Sequence, residues 1–273
     1  MRDKISLAGD LGSGKSTVSD ILIDRLGAEY YSTGAIVRSI AEKHGMSVVE
    51  LNVYMETHPE IDREIDDGLK ALSDVDKLLI IDSRMAWHFT EGTFKVYLSA
   101  DAETSALRIM NANRKGEHSA TLEETIKETK ARRESEKKRY FTQYGVDIKD
   151  LKNYSLVIDT SHATPEEVAE CLLSAFDSWK KDKSFNFAYI TPERLYFPDE
   201  EPNIQEVSRI AGCLDEGILP KPVKVYECDG EFYIAEGVET ALAYAFNMNT
   251  FIPAKIISGI PDKENYTKMK NSL

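Results

Sequence analysis

Gly9-Asp10-Leu11-Gly12-Ser13-Gly14-Lys15-Ser16 carries the pattern G-x-x-x-x-G-K-S close to the start of the chain. Residues of these types in this order can cradle a phosphate. The glycines let the backbone turn tightly and approach an anion with no Cβ in the way. Amides at the start of a following helix point at the anion, and the helix dipole favours negative charge there. Gly9, Gly12, Ser13, Gly14, Lys15, Ser16 and Thr17 are therefore the expected cradle of a nucleoside triphosphate. Lys15 would reach the β- and γ-phosphates, and the Ser16 hydroxyl would hold Mg²⁺. ATP with Mg²⁺ is the expected pair.

Transfer of a phosphoryl group to a phosphorylated acceptor needs further cations, and arginine suits the work because its planar fork grips phosphate oxygens in pairs. Three clusters fit. In Ser32-Thr33-Gly34-Ala35-Ile36-Val37-Arg38, Thr33 and Gly34 start a helix that carries Arg38 one turn on. In Ile80-Ile81-Asp82-Ser83-Arg84, an acid directly after an apolar run is a natural Mg²⁺ partner beside Ser16, with Arg84 on the same rim. In the charged stretch from Lys127 to Arg139, the spacing of Arg132, Glu136 and Arg139 by four and three puts them on one helix face. Taken alone, that last spacing fits a solvated ladder of ion pairs better.

These residues need a frame. Ile5–Ala8, Leu78–Ile81, Phe94–Leu98 and Leu156–Ile158 are short apolar runs between helical patterns. That alternation predicts an α/β domain with a mostly parallel sheet flanked by helices. Ligands then bind at the carboxyl ends of the strands, where the glycine loop, Asp82-Ser83-Arg84 and Ser99-Ala100-Asp101 would converge. A helix opens at Thr164, with Pro165 in the first position and Glu167 completing a capping box. The polar run Lys180-Lys181-Asp182-Lys183-Ser184 reads as a linker, dividing the chain into 1–180 and 185–273. The second part predicts a smaller α+β domain. It has a strand entering a turn near Tyr189–Leu195, a helix over Glu206–Glu216, and a hairpin of Val223–Cys228 with Glu231–Ala235 around Asp229-Gly230. A short helix over Thr240–Phe246 and a last strand over Phe251–Ile257 complete it.

Of the 273 residues, 42% are hydrophobic and 30% charged, which is the balance of a soluble globular chain. No apolar stretch approaches a membrane span, and Met1-Arg2-Asp3-Lys4 leads directly into the first strand with no room for a signal peptide. Cys171, Cys213 and Cys228 have neither metal-ligand nor disulfide spacing, so a reducing cytoplasm is expected. A net charge of −13 disfavours broad binding to nucleic acid.

Residues 1–180 resemble a cytidylate kinase, in particular the short archaeal-type branch of that P-loop nucleoside monophosphate kinase family. The resemblance rests on the early glycine loop, Ser32–Arg38, Asp82-Ser83-Arg84, Val96–Ala100, Arg132–Tyr140, Tyr144–Ile148 and Leu156–Thr160. It implies that Ser32, Thr33, Gly34, Arg38 and Arg84 bind the acceptor and its phosphate. It also implies that Lys15, Arg132, Glu136 and Arg139 form the catalytic and lid set, with Arg108 a further lid arginine. The implied reaction is transfer from ATP to CMP or dCMP. The chain has Asp82-Ser83-Arg84 where the family often has Asp-Gly-Arg, and only residues 45–75 are available for recognising the base.

Residues 186–257 resemble a ParB/sulfiredoxin-like domain through the strand before Thr191-Pro192, Gly217–Val225, Asp229–Gly237 and Ile252–Ile256. The basic pair of that family's phosphate loop is replaced by Glu236-Gly237-Val238-Glu239-Thr240, where Glu236 or Glu239 could hold a metal or act as a base. The expected role is an appendage for homodimerisation or substrate capture. Two further readings stand beside the nucleotide kinase: a nucleotide-dependent regulator that engages DNA or a partner through the second part, and a kinase of a non-nucleotide metabolite.

Overall fold

The computed structural model describes residues 3–55, 57–112 and 121–269, so the outer ends of both expected domains lie outside it. In chain order the strands are β1 (Lys4–Gly9), β2 (Glu29–Ser32), β3 (Leu79–Asp82), β4 (Thr93–Ser99), β5 (Leu156–Asp159), β6 (Phe187–Ile190), β7 (Leu195–Pro198), β8 (Val223–Cys228), β9 (Glu231–Glu236), β10 (Ile252–Ile257) and β11 (Tyr266–Lys268). The helices are α1 (Lys15–Leu26), α2 (Thr33–Lys43), α3 (Val48–Met55), α4 (Pro59–Ala71), α5 (Ala86–Phe89), α6 (Ala102–Asn111), α7 (Leu122–Tyr144), α8 (Pro165–Lys181), α9 (Ile204–Asp215) and α10 (Val238–Phe246).

The expected α/β frame is present. Strands β2, β3, β1, β4, β5 and β6 lie side by side and parallel. β1 sits in the middle with β3 on one side and β4 on the other, so the chain leaves it at a switch point where a ligand crevice opens. Alternation along β1 sorts its faces. Ile5 and Leu7 join Phe94, Val96 and Leu98 in a core closed by Val18 and Leu22 of α1 and by Leu172, Phe176 and Trp179 of α8. Each such side chain, fully removed from water, contributes roughly 1.5–3 kcal/mol. The capping box of α8 forms as read: Glu167 N donates to Thr164 Oγ1 at 3.2 Å, and Thr164 N donates to Glu167 Oε2 at 2.8 Å.

The sheet does not end at the polar run 180–184. β6 pairs parallel with β5, β10 pairs antiparallel with β6, and the order continues through β8, β9 and β7 to β11. One apolar cluster spans the join, from Ala8, Trp87 and Tyr97 through Tyr154 and Val157 to Ala188, Val223, Phe232 and Ile252. The α+β character of the second part and its hairpin are as expected. Asp229 (φ 57°) and Gly230 (φ 85°) supply the two positive φ angles of a two-residue hairpin turn. β10 is not the last strand: β11 follows and pairs with β7 on the sheet edge. Among the described residues no helix is long and apolar enough to cross a membrane.

Candidate active site

The glycine loop joins β1 to α1. Gly14 sits in the left-handed region (φ 78°) immediately before the helix, so α1 opens without a side-chain cap and its first amides face the loop. Gly12 is also left-handed (φ 73°), and a Cβ there would lie 2.4 Å from the Ser105 carbonyl oxygen. Lys15 folds over the loop, donating to the carbonyls of Gly9 (3.1 Å) and Asp10 (2.8 Å) and to Ser13 Oγ (3.4 Å). Burial pulls its ammonium down to about 8; Arg84 adds to the fall, while Asp82, Asp10 and Glu136 oppose it. Ser13 is buried, whereas Ser16 and Thr17 are exposed at the start of α1.

Arg84, directly beyond β3, meets Glu136 of α7: its Nε lies 2.7 Å from Glu136 Oε2. The other oxygen, Oε1, accepts from Arg132 Nε at 3.2 Å. The ladder suggested by the spacing is thus half of the arrangement, because Glu136 also ties α7 to the rim of the sheet. Burial works against the Arg84 charge, but Glu136, Tyr140, Asp82 and Tyr97 together outweigh it and hold the guanidinium above its usual range. Arg139, one turn further along, lies over the Tyr140 ring at 5.0 Å and donates to Tyr140 Oη at 3.2 Å. Asp82 ends β3; its carboxylate accepts from Tyr30 Oη at 3.0 Å, and its carbonyl accepts from Thr33 Oγ1 at 3.4 Å.

The Ser32–Arg38 segment is a strand end and a helix start. Ser32 Oγ accepts from Ala35 N at 3.3 Å, so Ser32 caps α2. Gly34 packs beside Arg38: a Cβ at Gly34 would stand 3.5 Å from Arg38 Nη1. Lys15, Asp82, Arg84 and Glu136 are brought together, as their mutual influence on the Lys15 charge shows, and Arg132 joins through Glu136. Arg38 is exposed against its own helix start.

Arg108 of α6 faces the loop rather than α7. It donates through Nη2 to the Thr160 carbonyl (2.7 Å), and through Nη1 to Thr160 Oγ1 (3.1 Å) and the Gly12 carbonyl (3.5 Å).

Several residues of the site escaped the sequence reading. The Asp10 carboxylate, buried under the loop, accepts from Tyr97 Oη at 2.7 Å, from Ala100 N at 3.0 Å and from Lys149 Nζ; Arg133 Nη2 stands 3.6 Å away. Burial would raise it, but Lys149 and Arg133 hold it down at about 2. Asp10, Arg84, Tyr97, Arg133, Glu136 and Lys149 line one small cleft against the loop. On α4, Asp62 and Asp66 are buried carboxylates whose pKa is raised by that burial; Arg139 opposes the rise at Asp62, and Tyr144 Oη bonds Asp66 at 2.5 Å. No spacing rule joins residues so distant in the chain. A larger open groove, with Lys95, Lys152, Trp179 and Lys183, lies at the amino ends of β4 to β6, away from the loop.

Glu236 pairs with Lys224 at 2.7 Å and Glu239 accepts from Asn203 N at 3.2 Å, both on the surface. The described residues contain no group of three or more His, Cys, Asp or Glu placed to hold a metal. Mg²⁺ does not need one, since it is commonly held by one or two protein oxygens together with substrate phosphates and water. The Ser16 hydroxyl and the Asp82 carboxylate are oxygen donors of that kind.

Residues 4–162 match the cytidylate kinase-like family. The chain is similar to a cytidylate kinase of Thermoplasma volcanium, 38% identical over 186 residues, which cover 67% of this chain and 95% of that protein. It is also similar to a cytidylate kinase of Archaeoglobus fulgidus, 35% identical over 175 residues, 64% of this chain and 94% of that protein. Among solved structures, an uncharacterised protein from Eubacterium ventriosum shares the fold, with a TM-score of 0.50 at 14% identity over 65% of this chain and 99% of that one. With its glycine loop at the switch point of the parallel sheet, and with a family match over more than half its length, the chain belongs to the cytidylate kinase-like family of P-loop kinases.

Proposed function

We propose that this kinase moves the γ-phosphoryl group of ATP to a pyrimidine nucleoside monophosphate, CMP or dCMP, giving the diphosphate. The observation that carries this reading is the convergence of Arg84 and Arg132 on Glu136 beside Lys15, at the carboxyl end of the sheet. An acceptor phosphate is already anionic, so the protein has little deprotonation to perform. Its work is in-line positioning and neutralisation of the shared charge.

In this reading Gly9 to Thr17 hold the donor phosphates and Lys15 neutralises the β- and γ-oxygens. Arg38 and Arg84 take the acceptor phosphate, with Ser32, Thr33 and Gly34 beside it. Arg132 and Arg139 face the transferring group from α7, and Glu136 fixes the direction of the arginines. Ser16 and Asp82 would hold Mg²⁺, which when bound supplies further positive charge to the phosphate oxygens. We read residues 1–180 as the transfer part and 185–273 as a second part beyond the family match at 4–162.

An ADP-release assay over CMP, dCMP, UMP, AMP, GMP and small alcohols tests the proposal. Strong stimulation by CMP or dCMP supports it. Stimulation only by another nucleotide or by an alcohol reassigns the acceptor, and silence across all of them refutes the kinase reading.

A further inference from the structure

Arg194 closes the short 3₁₀ turn Pro192–Arg194 after β6 and is 1% exposed. Its Nη1 donates to Asp159 Oδ1 and to Ser161 Oγ, both at 2.8 Å, and its Nη2 donates to the Gly230 carbonyl in the β8–β9 turn. Asp159, at the end of β5, is fully buried and also accepts from the Thr191 hydroxyl and, at 3.3 Å, from Thr191 N. Ser161 Oγ accepts from Asp101 N at 3.0 Å. Thr160, between the two, is the residue that holds Arg108, and Arg108 in turn reaches the Gly12 carbonyl. Two sets of hydrogen bonds, joined through the backbone of residues 159–161, therefore link the C-terminal hairpin to the phosphate loop.

The two ends of this link differ in origin. Asp159 to Ser161 fall inside the family match at 4–162, whereas Arg194 lies beyond it. A buried carboxylate needs a counter-charge, and here the added segment supplies it. The Arg194 fork grips two residues of the 159–161 loop through one nitrogen and the hairpin through the other. This geometry constrains the loop in direction as well as charge.

We propose that Arg194 is a positioning residue for the donor nucleotide: it fixes the 159–161 loop, and through Thr160 and Arg108 the conformation of the phosphate loop at Gly12. The inference rests on the triphosphate reading of that loop given above. It makes the C-terminal part a support of the donor half-site, separate from the acceptor rim of Arg38 and Arg84.

The test uses full-length Arg194→Met and the double variant Arg194→Met/Asp159→Asn. ATP affinity is measured by calorimetry, and KM for ATP and for the acceptor by ADP release. Arg194→Met is expected to weaken ATP binding and raise KM for ATP on the order of tenfold, while KM for the acceptor moves less than about twofold. The double variant removes the Asp159 charge together with its partner, and Glu231, 3.7 Å from Arg194 in the wild type, keeps Lys268 at 3.9 Å, so thermal stability recovers towards wild type while KM for ATP stays raised. If Arg194→Met does not fold, the double variant carries the same comparison. An unchanged KM for ATP in a folded variant, or an equal rise in both KM values, overturns the proposal. Wild-type protein that fails to bind ATP at all overturns the donor reading as well, and the calorimetry separates the two failures.

Discussion

Arg84 and Glu136 come from a strand end and a long helix that are remote in sequence, yet their charged atoms stand 2.7 Å apart, with Glu136 only 12% exposed. The carboxylate lets a second guanidinium, that of Arg132, approach the same spot. Glu136→Gln keeps the shape and removes the charge, leaving two cations facing a neutral amide. A hydrogen bond to a charged group is worth about 1.5–3 kcal/mol, so turnover should fall about tenfold to a hundredfold. Steady-state ADP release checks this; a Gln variant with wild-type kcat and acceptor KM would refute the role given to Glu136.

Lys15→Met should lower phosphoryl transfer by about 10²–10³, the usual effect of removing one charge-stabilising donor. The fold should survive, because the Lys15 ammonium hydrogen-bonds to Gly9, Asp10 and Ser13 of its own loop and its burial already disfavours the charge. Circular dichroism and urea midpoints report the fold, and the coupled assay reports transfer. Near-normal turnover would refute the donor assignment.

Gly12 and Gly14 are both left-handed but differ in surroundings. A Cβ at Gly14 meets nothing within 4 Å, whereas one at Gly12 would collide with the Ser105 backbone at 2.4 Å. Gly14→Ala should cost about 1–2 kcal/mol from the backbone conformation alone. Gly12→Ala should cost more and should displace α6 from the loop. Chemical denaturation orders the two variants, and equal losses would count against the close approach at Gly12.

Asp10 gives a pH-dependent prediction. Its folded pKa of about 2 lies below the ordinary 3.8, so its ionised form stabilises the fold above about pH 4. The difference amounts to about 2 kcal/mol at neutral pH and is lost as the pH falls through 2. Asp10→Asn should therefore be destabilised at pH 7, with a deficit that shrinks between pH 4 and 2. A deficit that stays constant over that range would remove the charge from the explanation.

Much of the frame was legible because it rests on local chemistry. Gly9 to Ser16 between an apolar run and a helical pattern, Thr164 with Glu167, and Asp229-Gly230 between two alternating runs each define a structure over a few residues. Edge strands were less legible. β2 is Glu29-Tyr30-Tyr31-Ser32, partly exposed and without an apolar run, and β11 is only Tyr266-Thr267-Lys268. Their pairing with β3 and β7 comes from the neighbouring strand and leaves little mark in their own residues.

The sequence by itself determined the phosphate loop, the alternation that builds a parallel sheet, the arginines available for anions and the family to which the first two thirds are similar. Those features depend on residue type and on spacings of a few positions. The tertiary structure alone decided that Glu136 joins Arg84 to Arg132, that Asp10 is gripped by Tyr97 and Lys149, and that one sheet continues on the far side of the polar segment and so brings Arg194 to Asp159. Contacts of that kind arise when distant segments are packed together. Burial then makes each unpaired charge costly, and it is this cost, rather than any spacing in the chain, that selects the partners.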